Sequence, residues 1–114
     1  MVAPNPQRRQ TQLFPPGMIH LTLGALVAFY RSSKGPEEFL RRHFAGDWGE
    51  ISEGDKKLND TAVKEGGRIL SAYQTTAGDR IWIISEADRS VTNVELNICH
   101  LMLSCQRRSE SRLD

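Results

Sequence analysis

Gly66–Leu96 reads G-G-R-I-L-S-A-Y-Q-T-T-A-G-D-R-I-W-I-I-S-E-A-D-R-S-V-T-N-V-E-L, the densest run of β-forming residues in the chain. Two polar clusters, Ala77-Gly78-Asp79 and Ala87-Asp88-Arg89-Ser90, divide it into three strands joined by tight turns. The pattern predicts strands over Arg68–Thr76, Arg80–Glu86 and Val91–Ile98, paired as an antiparallel meander. The middle strand is apolar on both faces, with Ile81 and Ile83 on one and Trp82 and Ile84 on the other. Such a strand is expected inside a sheet with something packed on each side. In the last strand Val94, Leu96 and Ile98 alternate with Asn93, Glu95 and Asn97, the signature of a half-buried strand.

Upstream of the meander the period changes from two to that of a helix. Thr22 is a good N-cap for a helix over Leu23 to about Ser33, whose Leu23, Leu26, Val27 and Tyr30 share one face. That stripe is expected to pack on the sheet. Pro36, Glu37 and Glu38 open a second helix with Phe39, Leu40, His43 and Phe44 on its core face and Arg41 and Arg42 pointing away. Gly46 ends it. Ser52, with Asp55 as an imperfect capping-box partner, opens a third helix that runs to about Glu65 with Leu58 and Ala62 on a thin apolar stripe. Gly66-Gly67 stops that helix. Met18-Ile19-His20-Leu21, after the stiff Pro15-Pro16-Gly17 turn, is expected to be a short first strand.

The expected architecture is therefore α+β: a short N-terminal strand, about three helices, then a three-stranded antiparallel meander packed on the helices. One domain spans 13–98. Residues 1–12, with two prolines and no large apolar cluster, are expected to be a disordered tail, and residues 99–114 a partly frayed one. The 114 residues suffice for one core, and no apolar run approaches the roughly 18 residues that span a bilayer. A cytoplasmic location is the expectation. Residues 13–98 carry ten Lys/Arg against twelve Asp/Glu, while Arg8, Arg9, Arg107 and Arg108 make the ends basic. These four arginines are the candidates for direct nucleic-acid contact.

The candidate contact residues fall in three groups. Asp47-Trp48, between Gly46 and Gly49, pairs a large aromatic with a carboxylate, which suits a partner anchor or a stacking platform, or else a hydrophobic plug. Asp88-Arg89-Ser90 places a fork-shaped cation at a turn, where it suits a phosphate or a partner carboxylate. The alternative is turn chemistry with Arg89 solvated. Arg41 and Arg42 are the helical candidates for phosphate contact. His43, in a core-facing pattern, reads as a half-buried core histidine before a catalytic base. Cys99 and Cys105 have neither metal nor redox spacing, and His100 beside Cys99 lacks further ligands nearby. No cofactor, metal or catalytic residue is expected, because no phosphate loop, nucleophile elbow or paired-carboxylate arrangement occurs in the sequence.

From Leu13 to about Val94 the chain resembles a family of small plasmid-related proteins found on bacterial plasmids and integrative conjugative elements. The resemblance rests on F-P-P-G at 14–17, L-G-A-L at 23–26, E-F-L-R-R-H-F-A-G-D-W-G-E at 38–50, G-R-I-L-S-A-Y at 67–73 and R-I-W-I-I-S-E-A-D-R-S-V-T at 80–92. Some such proteins carry the label of a type I restriction subunit M, but this chain has no methyltransferase motif and is too short for a cofactor-binding methyltransferase domain. After Val94 the sequence departs from the family's acidic, aromatic ending, as a frameshifted or recombined end would. The resemblance implies a non-enzymatic accessory protein of mobile elements that binds a host protein or a protein–nucleic-acid complex, such as an anti-restriction or anti-CRISPR inhibitor. The other reading is a ribonuclease toxin of the RelE/ParE-like type, to which the order strand, helices, meander is similar.

Overall fold

The computed structural model describes residues 12–97. It contains β1 (Met18–Leu21), α1 (Leu23–Ser32), α2 (Glu37–Ala45), α3 (Glu53–Glu65), β2 (Ile69–Gln74), β3 (Arg80–Ser85) and β4 (Val91–Asn97). The fold is α+β, as the patterns predict. The meander is extended by the first strand into one four-stranded mixed sheet, ordered β1-β4-β3-β2. β1 runs parallel to β4 with Leu21 opposite Val94, and β3 lies antiparallel to both neighbours.

Caps fall where the sequence puts them. The Thr22 hydroxyl accepts the Ala25 N–H at 3.1 Å, and the Ser52 hydroxyl accepts the Asp55 N–H at the same distance. Left-handed Gly46 and Gly66 close α2 and α3. Pro36 stands just outside α2, which begins at Glu37.

Two hydrophobic clusters form the core. Ala25, Ala28 and Phe29 of α1 pack on Tyr73, Ile81, Ile83 and Val94, with Phe39 and Leu40 of α2 alongside. Phe14, Phe44, Trp48, Ala62 and Ile69 form the second. By register all the sheet residues of both clusters lie on one face. Trp82 and Ile84 lie on the other face and join neither cluster, although Ile84 is itself buried.

Three side-chain assignments are corrected. The Leu23, Leu26, Val27 and Tyr30 stripe of α1 faces outward, and the small residues Ala25 and Ala28 with Phe29 face the sheet instead. Small side chains let the helix approach the sheet closely, and Gly24 meets the Leu96 side chain on that side. Leu58 is likewise exposed, while Asn59 is buried. Arg42 does not point away from the fold: its guanidinium lies 4.6 Å over the Tyr73 ring.

α1 crosses one end of the sheet. Thr22 donates its backbone N–H to Val94 at the α1 start, and Arg31 near its end lies 3.7 Å from Asp79 in the β2–β3 turn. α3 flanks the outer edge of β2, where the Asn59 carboxamide accepts the Leu70 N–H at 3.2 Å and donates to the Leu70 carbonyl at 2.7 Å. One side chain thus substitutes for a neighbouring strand. Further along the same edge, Ala72 exchanges backbone hydrogen bonds with Trp48 and Glu50. Gly49 makes that approach possible, since a Cβ there would collide with the Ala72 carbonyl oxygen. Among the described residues no helix is long and apolar enough to cross a membrane.

Candidate functional site

The most reactive-looking constellation is sealed in the core. His43 from α2 has Nδ1 2.6 Å from the Ser71 hydroxyl and Nε2 2.9 Å from the Ser85 hydroxyl. Ser85 continues to Thr92 at 2.7 Å, and Thr92 donates to the Pro16 carbonyl at 2.8 Å. The carbonyl at the end can only accept, which sets the direction of every link. Thr92 gives its proton to Pro16, so Ser85 donates to Thr92 and its oxygen accepts from His43 Nε2–H. Nδ1 is then bare and accepts from Ser71. The arrangement holds one neutral tautomer, and burial, with the Arg89 charge as a lesser cause, lowers the His43 pKa to about 3. A serine–histidine hydrogen bond is a nucleophile–base geometry. Here His43, Ser71, Ser85 and Thr92 are all 0% exposed, and Phe14, Phe44 and Trp48 wall the imidazole. No substrate reaches it.

Arg89 is a structural clasp rather than a solvated cation. It adopts a left-handed φ of 62° at the β3–β4 turn. Its Nη1 donates to the Gly67 carbonyl at 2.6 Å and the Glu86 carbonyl at 2.9 Å, and Nη2 donates to the Ala62 carbonyl at 2.8 Å. The guanidinium also lies 5.1 Å over the Phe14 ring. Turn chemistry alone does not require an arginine here, but capping the α3 C-terminus from a neighbouring turn does. Its neighbours supply the turn itself. Asp88 Oδ1 accepts the Ser90 O–H at 2.6 Å and the Ser90 N–H at 2.9 Å, which lowers the Asp88 pKa.

The Asp47-Trp48 loop divides in the same way. Trp48 is 4% exposed, stacks near Phe14 and donates its indole N–H to Asp60 at 3.0 Å, so the plug reading is the one observed. Asp47 accepts from Arg42 Nε at 2.7 Å, and that hydrogen bond is the main reason its pKa falls below the usual carboxylate range. Tyr73 donates to the Asp47 carbonyl at 2.6 Å, and burial raises the Tyr73 pKa. Arg42, Asp47 and Tyr73 therefore hold one another. Of the candidates, Arg41, Asp47, Asp88 and Ser90 are exposed. Arg8, Arg9, Arg107, Arg108, Cys99, His100 and Cys105 lie outside the described residues.

Among the described residues, two surfaces stand out as open to a partner. One is the outward face of α1. The other is an open groove of about 700 Å³ between α3 and the Gly67–Leu70 edge, closed at one end by the β3–β4 turn. Leu58, Leu70 and Ala87 give it apolar walls, and Asp55, Glu65 and Glu86 give it carboxylates. Arg68, also in the wall, lies 3.4 Å from Glu86. Sequence reading missed this groove because its residues come from three separate segments. The exposed Leu58, placed inward by periodicity, was the available signal. Among the described residues no group of histidine, cysteine, aspartate and glutamate is placed to hold a metal ion. No family model, curated protein or solved structure matches the chain.

Proposed function

We propose that this is a small non-enzymatic accessory protein of mobile genetic elements that binds a basic segment of a host protein in the groove beside α3. The groove carries the proposal: apolar walls at Leu58, Leu70 and Ala87 sit beside Asp55 and Glu65, with Glu86 already paired to Arg68, a match for the aliphatic stem and cationic head of Lys or Arg. The same carboxylates repel a phosphate backbone, which favours a protein over a nucleic acid at this surface. The resemblance of residues 13–94 to plasmid-related proteins supports the mobile-element setting. Counter-defence, of the anti-restriction or anti-CRISPR kind, is one role that blocking a basic host surface serves.

Fluorescence anisotropy with a labelled peptide of alternating leucine and arginine tests the groove. Binding should weaken with salt and fall at least tenfold in an Asp55→Lys/Glu65→Lys variant that keeps its circular dichroism. Equal binding by the variant rejects the groove. Induced expression in a bacterial host addresses the class of activity: growth arrest relieved by a neighbouring gene supports the toxin reading instead.

A further inference from the structure

Among the described residues, the outward face of α1 groups most of the exposed large hydrophobic side chains. Leu23, Leu26, Val27 and Tyr30 are 76%, 51%, 49% and 87% exposed, and Met18 and Ile19 of the preceding strand are exposed as well. Four large side chains at i, i+3, i+4 and i+7 make a patch of the order of several hundred Å², the size at which exposed apolar surface marks an interaction site. We infer that a second copy of this chain covers it, with the two α1 helices packed antiparallel about a twofold axis.

Charge is what selects a second copy. In an isologous contact each residue near the axis faces its own kind, so a charged patch would repel itself. From Met18 to Tyr30 the chain has no Asp, Glu, Lys or Arg. The first charge, Arg31, stands at the C-terminal end of α1 beside Asp79. By contrast, α2 exposes Glu37, Glu38 and Arg41, and α3 exposes Glu53, Lys57 and Asp60, faces that would oppose like charges.

The geometry also fits. α1 has ten residues, hence a length of about 15 Å. Antiparallel packing puts Leu26 and Val27 at the axis and Leu23 against Tyr30 of the partner subunit. It also separates the two Arg31 side chains to opposite ends and sets the N-terminus of each helix dipole beside the C-terminus of the other. Two such patches together bury at most about 1,000 Å², the low end of interface size, which suits a weak and reversible dimer.

Sedimentation equilibrium on the full chain, with Cys99→Ser and Cys105→Ser to prevent adventitious disulfides, tests this. A reversible monomer–dimer equilibrium is expected. Leu26→Glu should give a monomer that keeps its circular dichroism and its peptide binding in the groove. Because that helix position is already solvent-exposed, the variant should fold. In the same cysteine-free background, Val27→Cys should form an intersubunit disulfide under oxidising glutathione, and Lys57→Cys on α3 should not. A chain that stays monomeric at about 100 µM, a dimer that survives Leu26→Glu, or equal crosslinking through Lys57→Cys would each overturn the inference.

Discussion

His43 holds two hydroxyls of neighbouring strands at once, with a third and a backbone carbonyl behind them. Its identity matters because imidazole alone offers an acceptor and a donor on opposite sides of a flat ring while staying uncharged. The neutral form is native, so acid works against it. Between the ordinary histidine pKa near 6.5 and the folded value of about 3, the unfolded chain binds a proton that the folded chain does not. Stability is therefore full above about pH 6.5 and is lost as pH falls, by about 1.4 kcal/mol per unit from this group. The lowered pKa values of Asp47 and Asp88 add acid sensitivity only below the ordinary carboxylate range. Urea unfolding from pH 7 to pH 5 should show that slope. His43→Phe should be less stable at pH 7 and should flatten the slope. An unchanged slope in the variant would remove His43 as its source.

At the scale of elements, the outer edge of β2 is closed to further pairing. β2 ends its sheet under cover: Asn59 occupies both backbone groups of Leu70, while Trp48 and Glu50 occupy those of Ala72. An edge strand with open backbone groups is a template for unwanted pairing, and this one is closed by a side chain and a loop. Asn59→Ala should cost about 2 kcal/mol, from two lost hydrogen bonds at a buried site. It should also speed amide exchange at Leu70 more than at Ile83 in the sheet interior. Equal exchange at the two amides would show that Asn59 does not guard the edge. The α1 helix shows a related division within one element. Its alanines and Phe29 serve the core, which leaves its larger aliphatics available to a partner.

Across the whole molecule, Arg89 joins parts that are distant in sequence. Its three hydrogen bonds reach the last turn of α3, Gly67 two residues beyond it and the β3–β4 turn, and its plane covers Phe14 from the N-terminal segment. Nearby, Gly17 lies so close to the Arg89–Ser90 backbone that a Cβ would collide with the Arg89 and Ser90 carbonyls. Arg89→Ala should destabilise the fold by about 3 kcal/mol, because three charge-assisted bonds are lost and the Gly67 carbonyl loses its guanidinium donor. Arg89→Lys keeps the charge without the planar fork and should recover only a minor part of that loss. Chemical denaturation measures both, and a loss below about 0.5 kcal/mol for the alanine variant, within the range of ordinary surface substitutions, would contradict the clasp.

The sequence by itself determined what depends on neighbours along the chain: strand periodicity, turn positions, caps at Thr22 and Ser52, glycine stops and the α+β class. These follow from local backbone and hydrogen-bonding rules that need no distant partner. It also placed His43 inside, since Phe39, Leu40 and Phe44 mark that face of α2. Tertiary structure alone decided which face of α1 is buried, because periodicity shows that a stripe exists and not whether a close-packed sheet prefers leucines or alanines. It likewise decided the fate of Arg89. The carbonyls that hold it belong to Ala62, Gly67 and Glu86, and only folding brings them to one point.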